Sequence, residues 1–307
     1  MNQSTNSQPS HFLSYMKEVI DQMESSGRKG SARNYNSAYL SLRRFRKGRD
    51  IRIKKFNASL VESYNSWLIE RGILRNSISF YMRILRSVYN KAVKEGLVNQ
   101  TYPFEKVYTG IDRTRKRSLA PDVLKQLIEL DLNNNWKLVL ARDIFLFGVY
   151  TRGMAFVDIA HLKNANIRGN EIVYCRRKTG QTIIVRIEKE MENIIKKYEL
   201  RTRHSRYVFP ILKDTKDVSG RMYYQALSTY NYRLKKIQQM LGLSMPLTSY
   251  IARHTWASLA HRMSIPLAII SQGMGHSSQK TTEIYISELE ETIIHNANRS
   301  LLDSLNP

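Results

Sequence analysis

Five side chains in the second half of the chain could act together on a phosphate ester. They are Lys178, Arg253, His254, His276 and Tyr285. Guanidinium groups can hold phosphate oxygens bidentately and stabilise the negative charge that builds on them during attack. A tyrosine hydroxyl, whose pKa is ordinarily about 10, can be the nucleophile when its surroundings activate it. The chemistry that this set could perform is therefore cleavage of a phosphodiester.

The segments around these side chains resemble those of the tyrosine recombinase, or phage-integrase, family. Residues 248–257 are similar to the family's H-x-x-R-H-T box, and residues 273–278 to its L-G-H-S-S box. Residues 281–285 are similar to T-T-x-x-Y, with the tyrosine nine positions after His276 as the family has it. The Lys-Thr-Gly run at Lys178 resembles the family's β-hairpin lysine. Each motif alone is weak, but four in this order are specific.

The resemblance implies a role for each matching residue. Tyr285 would be the nucleophile that forms a covalent 3′-phosphotyrosine, and Arg253 would be the second family arginine. Lys178 would protonate the leaving 5′ oxygen as general acid. His276 would orient the phosphate or help to position the tyrosine, and His254 would have a structural or phosphate-adjacent role. Because the adduct keeps the energy of the broken bond, rejoining would need no ATP, no metal ion and no other cofactor.

The chain departs from the family pattern at the histidine of the H-x-x-R box. Tyr250 stands at that position. A neutral phenol can donate a hydrogen bond to phosphate, but it is a poor base near neutral pH. Removal of the proton from Tyr285 would then depend on His276, on water or on a concerted step.

A second departure concerns the first family arginine. The family reads T-G-L-R-x-x-E, and aligning Asp158 with its acid puts Ala155 at the arginine position. Arg152 lies three residues earlier, about one turn away if the segment is helical, and would supply the guanidinium from a shifted position. In the alternative, Arg152 is a surface arginine and the site has one arginine fewer. Asp158 would support Arg253 or the fold, or be a plain surface acid.

The composition indicates a nucleic-acid partner. Lys and Arg number 49 against 26 Asp and Glu in 307 residues, which gives a net charge of +23. Residues 1–117 carry 23 basic and 9 acidic side chains, so their binding to double-stranded DNA should weaken steeply with salt. The single cysteine excludes a disulfide framework and a cysteine-based zinc site within one chain. With no apolar run of spanning length and no secretory signal, a cytoplasmic, nucleoid-associated protein without a membrane partner is expected.

Apolar periodicity predicts a mainly α protein with one small β-sheet, an α+β fold. Residues 1–10 are predicted to be a disordered tail. Four helices without a strand pattern follow over 11–98 and resemble the family's SAM-like core-binding domain. Residues 99–117 lack periodicity and are predicted to be a basic linker. Residues 118–307 are predicted to be the catalytic domain, mostly helical around the hairpin that carries Lys178, with a C-terminal helix that docks in trans.

Two basic clusters are the candidate DNA contacts. The predicted helix 31–47 ends in one of them, Arg43, Arg44, Arg46 and Lys47, and the linker ends in the other, Arg113, Arg115, Lys116 and Arg117. Base readout is expected from the helices 31–47 and 75–95. The alternative for the linker is a merely solvated basic loop. Arg176 and Arg177 flank Lys178 and are expected to bind phosphates rather than to do chemistry.

These expectations combine into site-specific DNA recombination. The resemblance implies a tetramer on two sites, whose docking face would be Leu289, Ile293, Ile294, Leu301 and Leu302, unless that helix packs on its own domain. Accessory DNA-bending proteins are further candidate partners. Because the core-binding pattern starts near His11, a simple-site recombinase is expected. The R-G-M run at 152–154 and the S-Y-x-A-R-H-T-W box at 249–256 resemble a branch found in bacterial conjugative elements and invertases. DNA inversion or integration and excision of a mobile element therefore ranks above chromosome-dimer resolution. The alternatives are a catalytically inactive, recombinase-like DNA-binding regulator and a topoisomerase with the same chemistry.

Overall fold

The computed structural model describes residues 10–112, 118–213, 220–276, 282–283, 298–299 and 302–303. The chain divides into two compact units, Met1–Thr114 and Arg115–Pro307. The predicted tail before Ser10, the basic end of the linker and most of the predicted C-terminal helix lie outside the described residues. Four helices in the first unit, and seven helices with a small sheet in the described part of the second, confirm the predicted fold class.

The first unit is built on four helices with amphipathic sequences. They are α1 (Phe12–Ser25), α2 (Lys29–Phe45), α3 (Ala58–Glu70) and α4 (Arg75–Lys94). Asn57 directly precedes α3 and caps it, because its side chain accepts the main-chain N–H of Leu60. In the core the ring of Phe12 stacks on Phe56, with centroids 4.0 Å apart. The basic cluster Arg43, Arg44, Arg46 and Lys47 lies at the C-terminal end of α2, where its charge also complements the helix dipole.

Residues 99–112, which the sequence predicts to be the first part of the linker, pack on the first unit instead. Phe104 and Val107 are buried in its core. The side-chain amide of Asn76 donates to the carbonyl of Asp112 and its Oδ1 accepts the main-chain N–H of Asp112, at 3.1 and 2.8 Å. The segment has no periodic apolar pattern because single side chains anchor it, so the sequence pattern alone does not reveal its attachment.

The second unit is organised around one apolar helix. Its helices are α5 (Pro121–Glu129), α6 (Trp136–Tyr150), α7 (Phe156–Ala160), α8 (Lys189–Thr202), α9 (Arg221–Met240), α10 (Ile251–Arg262) and α11 (Leu267–Gly273). Because α6 is apolar on nearly all sides, it is buried and packs against α8, α9 and α10. Among the described residues, no helix has both the length and the apolar character needed to cross a bilayer.

An antiparallel sheet in the order β1-β2-β3 completes the second unit. Its strands are β1 (Ile167–Arg168), β2 (Glu171–Cys175) and β3 (Thr182–Arg186). Side chains alternate between the two faces, and Ile172, Tyr174, Ile183 and Val185 face the core. The hairpin β2–β3 has the predicted position. The short elements β1 and α7 are absent from the prediction because two and five residues are too few to show a period.

Candidate active site

Arg253 is held in the first turn of α10 by main-chain carbonyl groups. Its side chain is 3% exposed. Its Nη1 donates to the carbonyl oxygen of Gly153 at 2.7 Å, and its Nη2 donates to that of Met274 at 2.6 Å. These carbonyls come from the loop after α6 and the turn after α11, so three segments distant in sequence fix the guanidinium in one orientation. A cation preorganised in this way can stabilise charge that develops on a phosphate.

Gly153 allows the main chain to approach Arg253 closely. Its φ is 76°, in the left-handed region, and a Cβ atom at this position would lie 2.9 Å from Cγ and 3.0 Å from Cα of Arg253. Only glycine combines that backbone conformation with the contact. The sequence showed this residue only as part of the run after Arg152, with no signal that it touches Arg253.

We expect Gly153→Ala to destabilise the protein by about 2–4 kcal/mol, because strain at positive φ adds to the overlap with Arg253. Gly169→Ala is the matched control, since Gly169 also has positive φ but has no heavy atom within 4 Å of an added Cβ. That control should lose about 1 kcal/mol. Chemical denaturation measures both variants. Equal losses would show that the contact with Arg253 adds nothing.

His276 is tied to Arg253 and to Thr282. The His276 Nε2 lies 2.8 Å from Nη2 of Arg253, and its Nδ1 lies 2.8 Å from Oγ1 of Thr282, whose side chain is fully buried. Because a guanidinium only donates, Nε2 accepts, and the network assigns the ring proton to Nδ1, which donates to Thr282. Burial, followed by the charges of Arg253, Arg176 and Lys178, lowers the pKa of His276 to about 4. At neutral pH the ring is therefore neutral.

The β2–β3 turn places Lys178 at an exposed tip. The main-chain N–H of Arg176 donates to the carbonyl of Gln181, and the carbonyl of Arg176 accepts the N–H groups of Thr179 and Gly180. Lys178 itself is exposed, and its charge acts on His276. An exposed ammonium on a hairpin beside the site is free to meet a substrate oxygen.

Asp158 is hydrogen-bonded to the turn of this hairpin. Its side chain is 4% exposed, and its Oδ1 accepts the main-chain N–H of Arg177 at 2.9 Å. Burial raises the pKa of this carboxyl, while the hydrogen bond and the charges of Arg176, Arg177 and Arg253 oppose that rise. The interpretation of Asp158 as a plain surface acid is therefore wrong. The carboxyl links α7 to the turn that carries Lys178.

The segment from Arg152 to Ala155 is not helical, so the condition under which these two residues would share a face is not met. The helix α6 ends at Tyr150, and both Arg152 and Gly153 have left-handed φ values, 57° and 76°. Ala155 is extended and directly precedes α7. The Nη2 of Arg152 donates to the carbonyl oxygen of Ile184 in β3 at 2.9 Å. Arg152 thus lies on a tight turn beside the sheet.

Tyr250 and His254 lie together at the start of α10. Tyr250 is the residue before the helix, and its side chain is 51% exposed. The edge of one ring meets the face of the other, with centroids 4.9 Å apart and planes at 78°. His254 is 8% exposed. Tyr250 therefore presents its phenol at the surface one turn before Arg253.

The described residues bring together Lys178, Arg253 and His276 from three separate segments, with Asp158 supporting the hairpin. Tyr285 lies outside the described residues. So do Arg113, Arg115, Lys116, Arg117, Leu289, Ile293, Ile294 and Leu301.

A further residue belongs to the site: Arg176 is only 5% exposed and donates from Nη1 to the carbonyl oxygen of Gly275 at 2.7 Å. A basic residue next to a hairpin turn is normally solvated, so the sequence carried no signal for its burial.

Curated relatives and solved structures resemble the chain over most of its length. It is 22% identical over 238 residues to the tyrosine recombinase XerC of Leptospira interrogans, covering 76% of this chain and 75% of that protein. It is 21% identical over 270 residues to XerD of Pseudomonas aeruginosa, covering 84% and 87%.

Two solved structures share the fold. A lambda integrase dimer bound to a COC′ core site is 16% identical, with a TM-score of 0.68 and coverage of 90% of this chain and 95% of that one. The Tn1549 transposon integrase in complex with a circular intermediate DNA is 13% identical, with a TM-score of 0.65 and coverage of 97% and 100%.

Family models match both units. The phage integrase SAM-like domain matches residues 11–107, which include the packed segment up to Val107. The phage integrase family matches residues 117–292, which is more than half of the chain and includes every candidate catalytic residue. Within that match, Arg253 contacts His276, and the charge of Lys178 acts on His276. The chain belongs to the phage integrase, or tyrosine recombinase, family.

Proposed function

We propose that this protein is a site-specific DNA recombinase that cleaves and rejoins strands through a 3′-phosphotyrosine on Tyr285. The observation that carries the proposal is the convergence of Arg253, His276 and the Lys178 hairpin, with a direct contact between Arg253 and His276. These groups supply fixed positive charge, a neutral imidazole and an exposed ammonium at one place. Phosphodiester cleavage requires stabilisation of the developing charge and a proton donor for the leaving oxygen.

In the proposed reaction the Tyr285 oxygen bonds to phosphorus, and the bond from phosphorus to the 5′ oxygen breaks. Lys178 gives its proton to the departing 5′ oxygen. The tyrosine proton passes to water or is transferred in a concerted step, because Nε2 of His276 already accepts from Arg253 and a pKa of about 4 makes this imidazole a poor base near neutral pH. The phenol of Tyr250 is a further hydrogen-bond donor to the phosphate. Arg253 stabilises the charge on the nonbridging oxygens. Rejoining is the reverse attack by a 5′ hydroxyl, and we infer that it needs neither ATP nor a metal ion because the adduct keeps the bond energy.

The DNA would be bound by both units. The first unit is strongly basic, and its exposed Arg43, Arg44 and Lys47 are candidate phosphate contacts. One solved relative of the same fold is a lambda integrase tetramer bound to a Holliday junction. We infer a tetramer on two sites for this chain also, acting on the nucleoid in the cytoplasm. Inversion, or integration and excision of a mobile element, is the role that we favour.

A covalent trap tests the proposal. The protein is incubated with fragmented DNA from its own genomic neighbourhood, denatured in detergent, and the attached DNA is sequenced. We expect a stable adduct at a defined site, since a phosphotyrosine bond survives denaturation. Inverted repeats at that site would indicate an invertase, and element ends would indicate an integrase. Site-specific binding under native conditions with no adduct would contradict the proposal and support the inactive regulator, which the family relationship does not favour.

A further inference from the structure

Arg176 and Arg253 are a matched pair of buried arginines. They are 5% and 3% exposed, and every other arginine in the described ranges is at least partly exposed. An arginine is almost never fully buried unless its charge is paired or used. The burial of Arg176 therefore needs a reason beyond the position of its neighbour Lys178.

The two guanidiniums reach adjacent peptide groups. Arg253 donates to the carbonyl oxygen of Met274 at 2.6 Å, and Arg176 donates to that of Gly275 at 2.7 Å. These carbonyls precede His276 directly. The turn requires glycine at position 275, because its φ is 63° and an added Cβ atom would lie 2.5 Å from Cδ1 of Ile183 in the hairpin. The turn thus holds two cations side by side at the imidazole.

Among the buried residues of the described ranges, positive charge exceeds negative charge at this place. The described ranges contain two buried carboxylates, Asp143 and Asp158. Asp143 is hydrogen-bonded to Lys197 and Tyr198. Of these two buried carboxylates, Asp158 is the one whose charge interacts with the two guanidiniums. Asp158 also accepts the main-chain N–H of the hairpin. Two adjacent buried cations repel each other and favour binding of a further anion.

We propose that Arg176 is a catalytic residue, which binds the nonbridging oxygens of the scissile phosphate together with Arg253. This inference rests on the proposed function. It makes Arg176 the residue that supplies the guanidinium missing at Ala155. One N–H of Arg176 holds the turn at Gly275, and the planar group carries four others that can meet phosphate oxygens.

Arg152 is the competing source of that guanidinium. It is partly exposed, and its Nη2 is engaged by the carbonyl oxygen of Ile184 in β3. The carbonyl groups of Met274 and Gly275, which precede His276, accept hydrogen bonds from Arg253 and Arg176 and not from Arg152. Arg176 also acts on the imidazole charge, directly after Arg253 in strength among the charged groups. Geometry and charge therefore favour Arg176 over Arg152.

The test compares Arg176→Ala with Arg176→Lys, Arg152→Ala and the exposed control Arg168→Ala. The substrate is a nicked duplex that carries the site recovered in the covalent trap, in which the scissile phosphate is either normal or a methylphosphonate. A methylphosphonate lacks the negative charge on one nonbridging oxygen. Adduct formation is timed under single-turnover conditions, DNA binding is measured by mobility shift, and thermal unfolding checks each variant.

We expect Arg176→Ala to form adduct about 100-fold or more slowly on the normal phosphate, since a main partner of the developing charge is lost. On the methylphosphonate the same variant should come within about 10-fold of wild type, because the charge that Arg176 neutralises is absent. On the normal phosphate, Arg176→Lys should form adduct at a rate between those of Arg176→Ala and the wild-type protein. Arg168→Ala should match wild type.

Equal loss on both substrates would assign Arg176 a purely structural role and overturn the inference. A large loss relieved by methylphosphonate in Arg152→Ala, with Arg176→Ala near wild type, would overturn it in favour of Arg152. If Arg176→Ala does not fold, the same comparison of substrates in Arg176→Lys decides. Failure of the wild-type protein to form any adduct would contradict the proposed function itself, and is thereby distinguished from failure of this inference.

Discussion

The Tyr285→Phe variant will bind its DNA site about as tightly as the wild-type protein and will form no covalent adduct. Phenylalanine keeps the ring and loses the oxygen that must bond to phosphorus, so the first step cannot occur at this position. Binding is expected to persist because it depends on many positive charges and not on one neutral hydroxyl. Mobility shift under native conditions and detergent-resistant attachment of labelled DNA measure the two properties on the same samples.

Tyr250→Phe is the matched control for this prediction. Tyr250 is exposed and lies one turn before Arg253, so it is a tyrosine of the described site that could meet a phosphate. Its loss should slow adduct formation by about 10-fold, the effect of one hydrogen bond to a charged group. An adduct that persists in Tyr285→Phe and disappears in Tyr250→Phe would reverse the assignment of the nucleophile.

Arg253→Ala will lower the rate of adduct formation by about three orders of magnitude. The variant loses the charge that faces the phosphate. It also leaves the carbonyl groups of Gly153 and Met274 without their buried donor, and His276 without the guanidinium at Nε2. The unfolding free energy should therefore fall as well, by about 3 kcal/mol, because buried acceptors lose their partners.

Arg253→Lys separates the two effects. A lysine keeps one positive charge but cannot span the carbonyls of Gly153 and Met274 and also hold an imidazole. We expect it to recover part of the unfolding free energy, measured by chemical denaturation, while adduct formation remains at least about 100-fold slow. Cleavage at the wild-type rate in either variant would show that Arg253 takes no part in charge stabilisation.

The fold was predictable to the extent that apolar periodicity decides it. The helix α6 (Trp136–Tyr150) coincides with an apolar run in the sequence, and an apolar run of that length has to be buried. The hairpin follows equally from two β-branched runs on either side of a turn with glycine. The packed segment 99–112 could not be predicted, since Phe104 and Val107 are isolated apolar residues in a stretch without a period.

The sequence motifs identify candidate catalytic residues. They do not show which other side chains tertiary packing brings to the site. The matching boxes identified Lys178, Arg253 and His276, which the fold brings together. The turn at Arg152 could not be foreseen, because a residue other than glycine rarely adopts positive φ. The burial of Arg176 depends on a carbonyl 99 positions later in the chain, at Gly275. No local pattern contains that contact.

Peptide mapping of the covalent adduct tests the central claim most directly. The chain has 18 tyrosines. Trypsin cleaves after Lys280 and Arg299, and the peptide 281–299 contains Tyr285 as its single tyrosine. Tyr250 falls in a different peptide, 237–253. After nuclease digestion, we predict that mass spectrometry will find a nucleotide, joined through its 3′ phosphate, on Tyr285 in peptide 281–299. A nucleotide on Tyr250 or on any other tyrosine, with peptide 281–299 unmodified, would contradict the account.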